Sequence, residues 1–167
     1  DITAAGLPQN TEKAFADGNL GPALARQTLF GGLGAGASFI HYFGHGGPQV
    51  WADEELLGAD DVPWLAGTPE SVAFMWACQS QYYPYFYGPS LGEGLLLLPQ
   101  GGTVASFGPS GISDFRAQEL FYRTLYAELM DTDLSFGEAI RRAKARSIAD
   151  HPELKAVIEG FNLLGDP

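Results

Sequence analysis

Cysteine is nearly absent: Cys78 is the one such residue in 167. No disulfide can form within the chain, so the dense cross-linking of small secreted domains is excluded and the redox compartment is left open. Basic residues are also few. Nine Lys and Arg stand against 20 Asp and Glu, a formal net charge of -11 that repels a phosphate backbone and argues against nucleic-acid binding. Long apolar runs are missing as well. None approaches the roughly 20 residues a membrane helix needs, and Leu95 to Leu98 stops at Pro99, so no membrane insertion is expected in this segment. There is no internal repeat and no stretch biased enough to suggest disorder. The chain opens at Asp1 with neither an initiator Met nor a charged-then-apolar leader and stops abruptly at Asp166-Pro167, so it reads as part of a longer polypeptide.

What is present is a hydrophobic fraction of 46%, enough to bury the core of one domain. Three short apolar runs bounded by turn residues predict buried strands: Ser38 to Phe43, Ser71 to Cys78 and Thr103 to Phe107. Phe161 to Leu164 reads as a last strand or a packed tail. Helix starts are marked by Ser-x-x-Glu capping boxes at Ser90 with Glu93 and at Ser135 with Glu138. From Phe115 to Leu129, apolar residues recur at helical spacing through Phe121, Tyr122, Leu125, Tyr126 and Leu129, so one face is expected to dock on the sheet. The helix begun at Ser135 turns Phe136, Ile140, Ala143 and Ser147 inward and Arg141, Arg142, Lys144 and Arg146 mostly outward. A weaker helix is expected from Leu20 to Leu29 and a short one from Pro152 towards Glu159. The cluster Gly31-Gly32-Leu33-Gly34-Ala35-Gly36 resembles a dinucleotide loop but precedes a strand instead of following one, and is expected to be an ordinary loop. Strands alternating with helices predict an α/β layer fold with a mostly parallel sheet.

In such sheets, ligands bind beyond the carboxyl ends of the strands. Two reactive side chains stand there: His45 follows the first predicted strand, and Cys78, thirty-three residues later, ends the second. Neighbouring strands lie about 4.8 Å apart, so adjacent strand ends can bring imidazole and thiol within a few ångströms. A thiol near its usual pKa of about 8.5 needs a nearby base or cation to become a nucleophile, and His45 can supply that and return the proton to a leaving amine. Gly44, Gly46 and Gly47 leave the backbone around His45 bare, and the N–H groups of Gly46 and Cys78 are the candidate donors to an oxyanion. Each residue alone has an ordinary reading, a small buried hydrophobe for the cysteine and a structural role for the histidine, as expected for His41.

The whole pattern resembles the gingipain-like cysteine peptidases of the caspase/gingipain superfamily. The matching pieces are Tyr42-Phe43-Gly44-His45-Gly46-Gly47 with Trp51-Ala52-Asp53 behind it, then Trp76-Ala77-Cys78, Leu91-Gly92-Glu93 and Gly101-Gly102-Thr103-Val104-Ala105-Ser106. Phe161-Asn162-Leu163-Leu164-Gly165-Asp166-Pro167 closes the series. The resemblance implies a caspase-like three-layer sandwich lacking its first strands here, and a partial peptidase domain over residues 1–167. It implies peptide or protein substrates, Cys78 as nucleophile through a thioester and His45 as general acid. No cofactor is required by that chemistry. Some members bind structural calcium, which the acid-rich stretch from Ala52 to Asp61 is a candidate to host. Members are typically secreted or surface-displayed bacterial proteins. Some carry an acidic residue that orients the histidine, upstream of where this chain begins.

Strand alternation puts Phe43 on the face of His45 and Trp76 on the face of Cys78, as walls of a pocket or as core. By similarity, the loop around Ser110 and Gly111 should offer backbone groups to an extended peptide. Asp114 is a candidate for favouring a basic side chain and equally a helix cap before Phe115. The aromatic run from Gln79 to Tyr87 reads as a flap over the cleft or as a cover packed on the next helix. Rival readings are a sorting transpeptidase, a caspase-like regulatory peptidase, and a catalytically silent surface or secretion module.

Overall fold

The structure, a computed structural model, describes residues 11–18, 21–130 and 133–166. They fall into two compact units, residues 14–112 with 160–166, and residues 113–159 with 11–13.

The first unit is built on a four-stranded sheet. Its strands are β1 (Phe39–Phe43), β5 (Ser71–Trp76), β6 (Thr103–Pro109) and β7 (Phe161–Gly165), in that spatial order. The first three are parallel and β7 closes antiparallel against β6. The three predicted strands are thus present, the Phe161 segment is a strand and not a packed tail, and the sheet is mostly parallel. β5 ends at Trp76, so Cys78 lies two residues past the strand instead of on its last position.

Alternation divides the sheet's side chains cleanly. Ile40 and Met75 point to one face, where they join the buried Ala25 and Leu33 of helix α1 (Gly21–Gly34) and Leu91 and Leu95 of helix α2 (Leu91–Leu97). His41, Phe43, Phe74, Trp76, Phe107 and Phe161 point to the other. Their rings form a contiguous stack in which His41 lies 4.5 Å from Phe74 and Trp76 lies 5.4 Å from Phe161. Each fully buried aromatic contributes ~2–3 kcal/mol of transfer free energy, so this layer is a large part of the core.

Helix α1 differs from the sequence expectation at both ends. Leu20 lies outside the described residues, and the helix continues through Gly31 to Gly34, which were expected to be a loop. Glycine is a poor helix former, yet Leu33, 2% exposed, anchors this turn in the core. The amides of Ala35 and Ala37 then close the end on the carbonyls of Gly31 and Gly32. Helix α2 begins on the expected box: Ser90 Oγ accepts from Glu93 N–H, and Glu93 Oε2 accepts from Ser90 N–H at 2.9 Å.

A second, three-stranded antiparallel sheet was not expected. It comprises β2 (Gly46–Gly47), β3 (Val50–Trp51) and β4 (Leu57–Gly58), and follows directly from the histidine loop. Trp51 and Leu57 are buried and fasten it to the core. Its hairpin tip is tied down elsewhere: Leu91 N–H, one of the unpaired amides at the start of α2, donates to Pro48 O, and Gln49 Nε2 donates to Pro89 O. A 3-10 segment, Ala59–Leu65, follows.

The second unit contains α3 (Phe115–Leu129), α4 (Phe136–Asp150) and α5 (Lys155–Glu159), with α3 packed along α4. Phe121, Tyr122, Leu125 and Tyr126 of α3 are buried, as their spacing predicts, as are Ile140, Ala143 and Ser147 of α4. Ser135 caps α4 through Glu138 N–H, while the Glu138 carboxylate is held by Arg141 and Arg142. Arg141, Arg142 and Arg146 face solvent, and half-buried Lys144 reaches Glu159 O.

Candidate active site

The register of β1 and β5 pairs Phe43 with Trp76. His45 and Cys78 each stand two residues beyond that pair, so equal offsets carry both onto neighbouring loops at the same end of the sheet. The loops remain joined beyond the strands. Gly44 N–H donates to Trp76 O at 3.2 Å, and Gly46 rests against the opposite loop. A Cβ on Gly46 would lie 2.8 Å from Ala77 Cβ and 3.2 Å from Cys78 O. Only a residue without a side chain allows this approach. His45 is exposed and Cys78 partly exposed, so both are open to solvent or substrate.

The backbone of His45 is fixed from two directions. Its carbonyl accepts from Tyr42 Oη at 2.7 Å and from Ala52 N–H at 2.9 Å. To reach it, the Tyr42 ring crosses Gly44 so closely that a Cβ there would lie 2.5 Å from the hydroxyl oxygen. Trp51 stacks on the same ring at 4.6 Å. Burial, then the negative charges of Glu54 and Asp53, push the Tyr42 phenol up to about 12, so it remains a proton donor throughout the physiological range.

The small hairpin also orients an amide. In an antiparallel ladder, hydrogen-bonded and non-hydrogen-bonded pairs alternate. The bond from Ala52 N–H to His45 O makes the next pair, Gly46 with Trp51, a non-hydrogen-bonded one. The Gly46 amide is therefore turned out of the ladder, as an oxyanion donor must be.

Cys78 sits before a tight bend. Gln79 has φ 57, a left-handed conformation uncommon for a side-chain-bearing residue, and Ala52, bonded to His45, has φ 61. Two of the four positive-φ non-glycine residues described here thus adjoin the candidate pair, where such strain tends to concentrate. The bend is held by Gln79 N–H to Gly111 O and Gln81 N–H to Pro109 O, both at 3.0 Å. Beneath it runs a buried polar relay. Gln81 Nε2 donates to Ser106 Oγ at 2.7 Å, Ser106 Oγ donates to Gly92 O at 3.2 Å, and Gly92 N–H donates to Ser80 O at 3.0 Å. A Cβ on Gly92 would strike the Gln81 amide at 2.5 Å. Two sequence pieces far from the cysteine, around Gly92 and Ser106, thereby support the loop that carries it.

The remaining site candidates fare differently. Trp76 is fully buried against Phe43, Phe107 and Phe161 and belongs to the core, whereas Phe43 keeps partial exposure. Gly111 adjoins the cysteine loop through Gln79. Both donors of Ser110, its N–H and its hydroxyl, are directed at Gly160 O, at 2.8 and 3.0 Å. Asp114 lies in the helical unit and caps α3, accepting from Ala117 N–H at 2.9 Å. In the aromatic loop, Tyr83, Phe86 and Tyr87 are exposed, so its tip is not packed down among the described residues. Both Asp61 oxygens face the Arg26 guanidinium, which also donates to Glu55 O and Leu56 O, and no group of three or more His, Cys, Asp or Glu gathers among the described residues.

A concavity of about 360 Å³ opens beside the histidine, lined by His45, Gly46, Gly47, Val50, Ala52 and Asp53. Tyr42, Gln79 and the Asp53 wall were not foreseen from the sequence as parts of the site. The Tyr42-to-His45 spacing within one motif was the available signal for the first. Among the described residues, no helix is long and apolar enough to cross a membrane.

Fold and site together define an α/β scaffold whose adjacent parallel strands lead into loops that carry a histidine and a cysteine. The profile of Peptidase family C25 matches residues 1–167, and the chain belongs to that family. Several solved structures resemble it, two of them as follows, each at 18% identity. One is the complex of the pro- and mature domains of RgpB from Porphyromonas gingivalis, with a TM-score of 0.75 over 85% of this chain and 36% of that one. The other is the Arg-specific cysteine proteinase gingipain R (RgpB), with a TM-score of 0.71 over 85% of this chain and 35% of that one. The chain thus spans little more than a third of their length, and at this identity the likeness concerns the fold. No curated protein matches the chain significantly.

Proposed function

We propose that this chain carries the catalytic centre of a cysteine endopeptidase, with Cys78 as nucleophile and His45 as general acid and base. The observation that carries the reading is the seating of Gly46 on Ala77 and Cys78, which draws the histidine loop onto the cysteine loop. Family membership supports it.

In the reaction, the Cys78 thiolate attacks the carbonyl carbon of a peptide bond. A C–S bond forms and the carbonyl oxygen becomes an oxyanion, held by the N–H groups of Gly46 and Cys78, each worth ~3 kcal/mol in the transition state. As the oxyanion collapses, the C–N bond breaks and His45 delivers a proton to the departing amine. Water then attacks the thioester with His45 as base. The C–S bond breaks, releasing the acid and restoring the thiol.

A secreted or surface-displayed bacterial protein is the proposed setting.

The test is alkylation and turnover with the full-length polypeptide. Iodoacetamide should label Cys78 rapidly at neutral pH and slowly in His45→Ala. Fluorogenic peptides bearing Arg, Lys or neutral residues before the bond should be cleaved by the wild type and not by Cys78→Ala. A thiol that labels equally slowly in both proteins, with no peptide cleaved, overturns the reading in favour of a silent module.

A further inference from the structure

We infer that the concavity beside His45 is a subsite for a cationic side chain of the substrate, on the leaving-group side of the cleaved bond, with Asp53 as its charged wall. This rests on the peptidase reading.

The side of the bond follows from the chemistry of the histidine. The group that protonates the departing nitrogen must face that nitrogen, so the residues after the cleaved bond pass along the outer side of His45. His45 itself forms a wall of the concavity. The turn at Ala52 puts Asp53 there: with φ 61, and its N–H donating to His45 O, Ala52 swings the next residue alongside the histidine.

The ligand class follows from the lining. Gly46, Gly47, Val50 and Ala52 are small and uncharged, a surface on which the methylene stem of an arginine or lysine can lie while its head remains hydrated. Asp53 is the one acidic group among the lining residues. It is also uncommitted, having neither an ion pair nor a hydrogen bond among the described residues. Asp61, eight residues on, is the contrast. Its carboxylate is already engaged by a two-pronged Arg26 contact and by Gly58 N–H. The Asp53 charge is felt within the site, since it is one of the causes that raise the Tyr42 phenol. A single open carboxylate of this kind discriminates by attraction to Arg or Lys and repulsion of Glu, and the discrimination weakens with salt.

The test uses the full-length polypeptide and internally quenched peptides that share the most readily cleaved acyl-side sequence. They differ in the two residues after the bond, which are Arg, Gln or Glu. The readout is the Arg-to-Glu ratio of kcat/KM. The expected ratio is about tenfold in wild type at low salt, dropping to within about twofold in Asp53→Asn and inverting in Asp53→Lys. Asp60→Asn, which removes an exposed acid outside the concavity, should keep the wild-type ratio. A wild-type ratio near one, or a preference that survives Asp53→Asn, overturns the subsite while leaving the peptidase intact. No cleavage of any peptide overturns the peptidase reading and the subsite with it.

Discussion

Gly46 and Ala77 face one another so closely that a methyl group on the glycine would stand 2.8 Å from the alanine Cβ. The contact joins the loop of the histidine to the loop of the cysteine. Gly46→Ala should therefore cost ~1–3 kcal/mol of stability through overpacking, and lower kcat/KM on the order of a hundredfold through misplacement of His45. The double variant Gly46→Ala/Ala77→Gly removes the opposing methyl and should recover at least part of the activity. A cycle of kcat/KM values on the four proteins measures the coupling, and strict additivity would show that the contact does not matter.

Tyr42 holds the backbone of His45 through a hydrogen bond to its carbonyl. Tyr42→Phe keeps the stack on Trp51 and removes only the hydroxyl that bonds His45 O. The expected loss is ~1 kcal/mol of stability and about a tenfold lower kcat with KM nearly unchanged. The phenol also has an alkaline signature. Its folded pKa lies above its unfolded value of 10, so its contribution is complete below pH 10 and is lost as pH rises towards about 12. Urea unfolding across that window should decline less steeply in Tyr42→Phe than in wild type.

His41 lies in the aromatic layer against Phe74, and burial lowers its pKa to about 4 from an unfolded value of 6.5. The unfolded chain binds the proton more readily. The neutral ring's contribution is therefore whole above pH 6.5 and is lost as pH falls towards 4, an effect on the order of 3 kcal/mol. Chemical denaturation at pH 7 and pH 4.5 measures it, and His41→Phe, which retains the stack, should flatten that part of the stability curve.

Arg26 ties the segment after β3 to helix α1 through Asp61 and the carbonyls of Glu55 and Leu56. Its guanidinium holds the Asp61 carboxyl below the usual carboxylate range, so that interaction is present at neutral pH and weakens in acid. Arg26→Met should cost ~1–2 kcal/mol and increase amide hydrogen exchange over residues 52–61. Arg26→Lys should restore little, because an ammonium cannot replace the fork.

Much of this molecule is legible in local sequence. The four strands of the main sheet are short apolar runs with clear punctuation, and the helix caps at Ser90, Asp114 and Ser135 follow from side chains able to accept from amides three residues on. His45 and Cys78 are conspicuous because they follow such runs, one of them between glycines. The paired strands of the small sheet are two residues each, too short to show any period, and long-range contacts alone define them. Helix α1 runs through its glycines because Leu33 is buried, a tertiary gain that outweighs a weak local preference.

The sequence by itself determined the strands and the caps and singled out the candidate pair, since each depends on residues close together in the chain. Only the tertiary structure decided that Phe43 lies opposite Trp76, that Gly46 must yield to Ala77, that Tyr42 reaches His45 O, and that Trp76 belongs to the core. Those relationships depend on the register between strands thirty-three residues apart. Register is fixed by how whole faces pack together, a property no single segment carries.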